Sequence, residues 1–376
     1  MKLCYIMMLL LSTTIIHSQY DNSITNKRIC ISNSDPYYFD ISTNKVVYSL
    51  YNDSESNIYL WDEGYVTNIT EGQLIGRSRL QPTLTSNKIF FRSGPRYSKP
   101  FDPLNEYNKI DLIEYDLKNQ TFINRTRMYS YEEIGLSNSN NDWLISDNDD
   151  IGWIGGSDVM LFQNDSLVNI TASFNYDFEY HSLYGCRDLV IKNKKCFWKK
   201  MFTTEPNAKS VHYSTYWYDG ESIEKLNVFG IVDGNPIFYD KEGIATIINN
   251  EKIVVHPGIR AELKVKNMKN RLVISYLDSS GLFNIYEYKD KKFNKIIANK
   301  HKIYDFTVSE NSIIWSAKKK PHDELGDEEF CLYYFNGIHV YKLEGTEQKK
   351  GHYGIKSSDD FCIWSNRKKL YVYDLN

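Results

Sequence analysis

Lys45-Val46-Val47-Tyr48-Ser49, Asn57-Ile58-Tyr59-Leu60-Trp61-Asp62 and Tyr65-Val66-Thr67-Asn68-Ile69-Thr70 follow one another as three short apolar and aromatic runs separated by turn residues. Runs of this length, rich in β-branched and aromatic residues and bounded by Asn, Asp, Ser and Gly, read as strands. The triplet returns downstream. Lys88-Ile89-Phe90-Phe91-Arg92 precedes Leu112-Ile113-Glu114-Tyr115-Asp116 and Thr121-Phe122-Ile123-Asn124, and Ile151-Gly152-Trp153-Ile154 precedes Val159-Met160-Leu161-Phe162 and Leu167-Val168-Asn169-Ile170-Thr171. Later copies are built on Cys196-Phe197-Trp198, Leu272-Val273-Ile274-Ser275, Ile313-Ile314-Trp315-Ser316 and Phe361-Cys362-Ile363-Trp364-Ser365.

The aromatic residue before the turn serves as a ruler. Trp61, Tyr115, Phe162, Tyr218, Tyr288, Phe335 and Tyr373 are separated by 54, 47, 56, 70, 47 and 38 residues. The gap of 70 leaves room for an eighth copy on Pro236–Asp240, Ile244–Ile248 and Lys252–His256. A repeat of about 40–50 residues made of about four strands implies a β-propeller, in which each sheet buries its two apolar faces against its neighbours. The expected fold is therefore all-β: a single propeller of seven or eight four-stranded blades. The last copy ends at Asn376 straight after its third strand, and Lys27–Ser32 stands as an orphan strand ahead of the first. Pairing the two closes the last blade and removes an open edge. In that blade Cys30 and Cys362 lie two strands apart, too far for a disulfide.

Ile41 to Ser49, Asn57 to Asp62 and Val66 to Thr70, with Gln81 to Phe91 and Glu114 to Asp116, resemble the TolB-type, WD40-like propeller repeat. The family's Pro-Asp-Gly turn is replaced here by Ser42-Thr43-Asn44 and Thr85-Ser86-Asn87. The resemblance implies the fold and export from the cytoplasm. It implies no chemistry, because the repeat serves many functions.

Residues 1–18 read as a signal peptide: Lys2 precedes an apolar run from Leu3 to Ile16 that ends at the small Ser18. About 14 residues at ~1.5 Å each span about 21 Å, short of the roughly 30 Å membrane core. The mature propeller, 19–376, is expected to be secreted or periplasmic and monomeric, without membrane insertion after cleavage. The 376 residues carry Lys+Arg 45 against Asp+Glu 48, a net charge of −3 that offers no global attraction to nucleic acid. Aromatic residues make up 15%, a share that disordered chains lack.

Five cysteines follow the cleavage point, and Cys186 with Cys196 suit a bridge across a hairpin turning near Lys192 to Lys194, unless all five are simply buried small hydrophobes. Asn-x-Ser/Thr triplets at Asn52, Asn68, Asn119, Asn124, Asn164 and Asn169 are glycosylation acceptors in an exported protein, although a chain so rich in Asn, Ser and Thr shows several by chance.

In a propeller the connections between second and third strands emerge on the same face as the links between blades. Long connections are expected at Ser93 to Lys109, Phe202 to Ser214 and Ala317 to Phe330. Long loops on a rigid scaffold are where binding concentrates. The expected binding residues are Arg77, Arg79, Arg92, Arg96, Tyr97, Tyr131, Tyr180, His181 and Arg260, since Tyr and Arg anchor recognition surfaces. The acidic run Asp323 to Glu329 lacks the ligand alternation of an EF-hand and reads as a solvated loop.

No catalytic residue, metal site or cofactor is expected. The chain has no Gly-x-Ser-x-Gly elbow and no His-Glu-x-x-His, and Ser146 to Trp153 only mimics a sialidase-type turn. Three readings stay open. The first is a non-catalytic propeller binding a protein or glycan through the long-loop face. The second is a carbohydrate-active propeller enzyme with paired axial carboxylates, and the third a detached module of a larger surface complex.

Overall fold

The computed structural model describes residues 23–376 apart from 25–27, 35, 37, 53–54, 73–76, 96–109, 130–143, 148–149, 156–157, 175–182, 204–211, 249–250, 258–263, 269–270, 278–282, 290, 300–302, 319–328 and 350. The signal segment expected over 1–18 lies outside the described residues. The strands form eight antiparallel sheets, numbered here blades 1–8, over residues 38–68, 77–124, 145–169, 183–225, 228–257, 264–299, 303–343 and 353–374. The segment between the fourth and sixth copies is a true blade, Val228–Val232, Asn235–Asp240, Gly243–Ile248 and Glu251–Pro257, which settles the count at eight.

First strands of successive blades meet around the axis, except that the first strand of blade 5 meets the second and third strands of blade 4, and the first strand of blade 8, Tyr353–Ser357, meets that of blade 1, Tyr38–Ser42, to close the ring. Closure is also made by strand pairing: Arg28–Ser32 pairs antiparallel with Leu370–Asp374 as the outer strand of blade 8, in the register Arg28 with Tyr373 and Ile29 with Val372. The Tyr48 hydroxyl of blade 1 donates to the Ile31 carbonyl at 3.1 Å, tying that strand to the next blade. Ser23–Ile24 adds a fifth strand to blade 7, parallel to Val340–Leu343.

The aromatic excess has a structural use. Second-strand tryptophans stack on third-strand tyrosines directly opposite: Trp198 on Tyr216 at 6.0 Å, Trp315 on Tyr333 at 5.7 Å and Trp364 on Tyr371 at 5.5 Å. Tyr48 on Tyr59, at 5.5 Å, repeats the arrangement in blade 1. Such cross-strand pairs stabilise a sheet while their outer faces pack the neighbouring blade.

A second device repeats at the ends of outer strands. Thr70, Thr126, Thr171 and Thr346 each accept, through Oγ1, a backbone N–H from the first half of the third strand, from Ile58, Leu112, Val159 and Leu332, at 2.9–3.1 Å. In the first three, Asn68, Asn124 and Asn169 accept the N–H of that threonine through Oδ1. The Asn-x-Thr triplets at these positions are thus part of the blade itself. Asn119 and Asn164 stand exposed on turns, and nothing is described of the Asn52 side chain.

The hairpin of blade 4 corrects the expected disulfide. Its turn, Asn193-Lys194, has both residues left-handed with φ of 50° and 63°, as a two-residue hairpin turn requires. That turn sets Cys196 opposite Ile191, and after a bulge Cys186 falls opposite Lys200. Neither cysteine forms a disulfide, and both are buried.

Candidate binding face

Strand direction assigns every end of every blade to a face. The second-to-third-strand connections and inter-blade links define an upper face, and the hairpin turns between first and second strands define a lower one.

The lower face is a polar belt that stitches blades together. Asp40, on the first strand of blade 1, accepts from Lys356 of blade 8 at 2.7 Å through Oδ1, and from the Thr83 hydroxyl and Leu84 N–H of blade 2 at 3.0 and 2.9 Å through Oδ2. With the Thr83 proton directed at Asp40, Ser146 of blade 3 donates to Thr83 at 2.8 Å. Asp147 accepts from Asn193 N–H at 2.7 Å and faces Lys192 at 3.6 Å, both of blade 4. Lys195 donates to the Gly234 carbonyl of blade 5. Arg271 of blade 6 donates to the Ser309, Glu310 and Ser312 carbonyls of blade 7, and Asn311 of blade 7 donates twice to Asp359 of blade 8. Asp40 and Asp147 are therefore held by lysines and backbone donors, and Asp40 by the Thr83 hydroxyl as well. Asp147 belongs to the sialidase-like stretch, and Gly152 in that stretch packs directly on Ile191 of blade 4.

At the upper end the chemistry changes. Lys264 and Tyr353 begin the first strands of blades 6 and 8, Tyr304 is the second residue of the first strand of blade 7, and Arg367 sits in the second-to-third-strand turn of blade 8. Lys264 Nζ lies 5.7 Å from the Tyr304 ring centre, Tyr304 meets Tyr353 edge-on at 6.5 Å, and the Arg367 guanidinium covers Tyr353 at 4.1 Å. Arg367, Lys368 and Lys369 are consecutive and exposed.

Six of the expected binding residues, Arg96, Tyr97, Tyr131, Tyr180, His181 and Arg260, lie outside the described residues. Arg77 begins the first strand of blade 2, with nothing described of its side chain. Arg79 and Arg92 are corrected: they are 1% and 3% exposed, not on a rim. The strands run further than their apolar cores, Arg77–Leu84 and Lys88–Pro95, so both arginines are strand residues. Arg79 donates to Asn57 Oδ1 at 2.6 Å and seals the seam between blades 1 and 2. Sequence reading missed Tyr304 and Tyr353. Their signal was positional, an aromatic at the start of a first strand, also present at Tyr38.

One Ser-His pair is present and is sealed in the core. His352 Nε2 donates to the Thr346 carbonyl at 2.8 Å, which makes Nδ1 the acceptor for the Ser316 hydroxyl at 2.9 Å. Both residues are fully buried, and burial lowers the imidazole from its ordinary 6.5 to about 4. A dyad that no substrate reaches is a structural pair between blades 7 and 8. The described residues hold no cluster of His, Cys, Asp and Glu suited to a metal ion.

No known sequence family matches the chain, and no curated protein matches it. Solved structures do, 368 chains in all. The β-propeller domain of the Trilobed protease from Pyrococcus furiosus superposes with a TM-score of 0.51 at 12% identity, covering 93% of this chain and 95% of that one. The acylaminoacyl peptidase of Pyrococcus horikoshii gives 0.46 at 13% identity over 88% of this chain, which spans 57% of that peptidase. The Pyrococcus furiosus domain is described as having an open velcro topology, whereas here Arg28–Ser32 closes the ring. At such identity the likeness shows a β-propeller fold and no activity.

Proposed function

We propose that the protein is an exported, monomeric propeller of the TolB-type, WD40-like class that recognises a glycan or protein partner with its upper face and performs no chemistry. The observation that carries this reading is the division of labour between the faces. The lower carboxylates that a hydrolase would need, Asp40 and Asp147, are spent on inter-blade contacts. The upper end presents exposed cations beside aromatic rings, the composition of a recognition surface. The segments 93–109 and 317–330, long connections of the same face, extend that surface in this proposal.

Export and cleavage near Ser18 or Gln19 are part of the reading, and N-terminal sequencing of the secreted protein tests them. For the face itself, a glycan array and a pull-down are run with the intact protein and with variants trimmed at 93–109 and 317–330. Loss of binding with retained folding supports the upper face. Unchanged binding overturns it, and turnover of a saccharide that disappears in Asp40→Asn would replace it with an enzyme.

A further inference from the structure

Four side chains run in series across the upper end of blades 6, 7 and 8: Lys264, Tyr304, Tyr353 and Arg367, each within aromatic or cation–π range of the next. We propose that this row is a subsite for an acidic saccharide, one whose sugar rings carry carboxylate or sulfate groups. The inference rests on the upper face being the binding face and names what it binds.

The row is built in advance of any ligand. Tyr304 is 43% exposed yet cannot swing freely, because Phe330 packs on it at 5.4 Å and 64°. Behind it lies Gly351, where a Cβ would come within 2.9 Å of the ring, so only glycine lets the tyrosine sit flush. Lys264 Nζ is fixed by the Ile303 carbonyl at 3.1 Å and by the Tyr304 carbonyl. The turn bearing Arg367 is equally fixed. Ser365 Oγ accepts the Arg367 N–H at 2.9 Å, Asn366 Oδ1 accepts those of Lys368 and Lys369 at 3.1 and 2.9 Å, and Arg367 is left-handed with φ of 66°. Arg367, Lys368 and Lys369 are exposed and make no ion pair among the described residues. Preset side chains lose little entropy on binding.

The ligand class follows from the order of groups. An exposed tyrosine offers an apolar face suited to the C–H face of a pyranose, and its phenol offers a hydrogen bond. A cation on either side of the tyrosine pair suits anionic substituents on the same polymer. A neutral glycan would give the exposed Arg367, Lys368 and Lys369 no anion to meet, and an acidic peptide would engage those cations without needing the tyrosines.

The test uses the full chain in titration calorimetry with four probes: a uronate oligosaccharide, a sulfated oligosaccharide, a neutral oligosaccharide of equal length, and polyglutamate. The uronate or the sulfated probe is expected to bind with salt-sensitive affinity, the stronger of the two identifying the anionic group. Tyr304→Ala is expected to weaken it about tenfold or more, Tyr304→Phe much less, and Lys368→Glu with Lys369→Glu about tenfold or more, all at unchanged thermal stability. The charge-reversal pair is exposed and keeps the test open should Tyr304→Ala unfold. Polyglutamate binding that ignores Tyr304→Ala overturns the saccharide in favour of an acidic peptide. Neutral-glycan binding lost in Tyr304→Ala overturns the acidic class and leaves the upper face standing. Failure of all four probes, together with array or pull-down binding unaffected by the loop trims, overturns both.

Discussion

A single threonine hydroxyl closes each of several blades, and its removal is a clean measurement. In blade 2 Thr126 is fully buried and accepts the Leu112 N–H at 2.9 Å. Thr126→Val keeps the shape and deletes the acceptor, leaving a buried N–H unsatisfied at a cost of about 1–3 kcal/mol. Thr126→Ser should restore most of it, and equal denaturation midpoints for Val and wild type would show the cap to be idle. His352 provides a pH-dependent counterpart. Its imidazole titrates near 6.5 when unfolded and near 4 when folded. Between those values the unfolded chain binds a proton that the folded chain refuses, so acid favours unfolding. The stability present above about pH 6.5 is lost as pH falls toward 4, up to about 3 kcal/mol in all. His352→Asn should flatten the stability profile over that interval, and a profile identical to wild type would contradict the burial of the neutral ring.

At the scale of strands and seams, packing between blades depends on small residues as much as on tryptophans. A Cβ at Gly152 of blade 3 would lie 2.2 Å from Ile191 Cδ1 of blade 4 and 2.9 Å from Leu161 Cδ2. Gly152→Ala is therefore expected to cost about 1–3 kcal/mol by overpacking, and Ile191→Val, which deletes the obstructing methyl, to recover part of it in the double variant. Additive losses on chemical denaturation would show that the two blades do not meet there. The same scale explains what was readable beforehand. Runs such as Ile313–Trp315 announce themselves because both faces of a middle strand are buried and its residues are consecutively apolar. Strand ends do not, since a strand that outlasts its core carries polar residues, and so Arg79 reads as part of a link between blades, while Arg92, at the end of its run, reads as facing a rim although it is buried. The row from Lys264 to Arg367 was invisible for another reason. It is assembled from three blades whose positions in space, unlike their period, no single stretch of sequence encodes.

For the whole ring, the decisive contact joins residues more than 300 positions apart. Without Arg28–Ser32, the third strand of blade 8 would present an unpaired edge between blades 7 and 1, and Ile31, 8% exposed in the ring, would return to solvent. Closure also removes the freedom of the ring to splay. A covalent lock at this seam tests register and energetics together. Ile29 lies directly opposite Val372, so cysteines at both positions, in a Cys30→Ser background to prevent mispairing, are placed to form a disulfide. The crosslink would close a loop of nearly the entire chain, for which the chain-entropy relation gives about 6 kcal/mol before any strain is subtracted. The oxidised protein should therefore melt several degrees above its reduced form with no gain in molecular mass. Deleting 27–32 should lower the melting temperature and promote association through the exposed edge, read by light scattering. A deletion variant that stays monomeric at wild-type stability would mean that seven complete blades hold the ring without its last strand. Failure of the cysteine pair to crosslink in the folded protein would mean that the strand docks in another register.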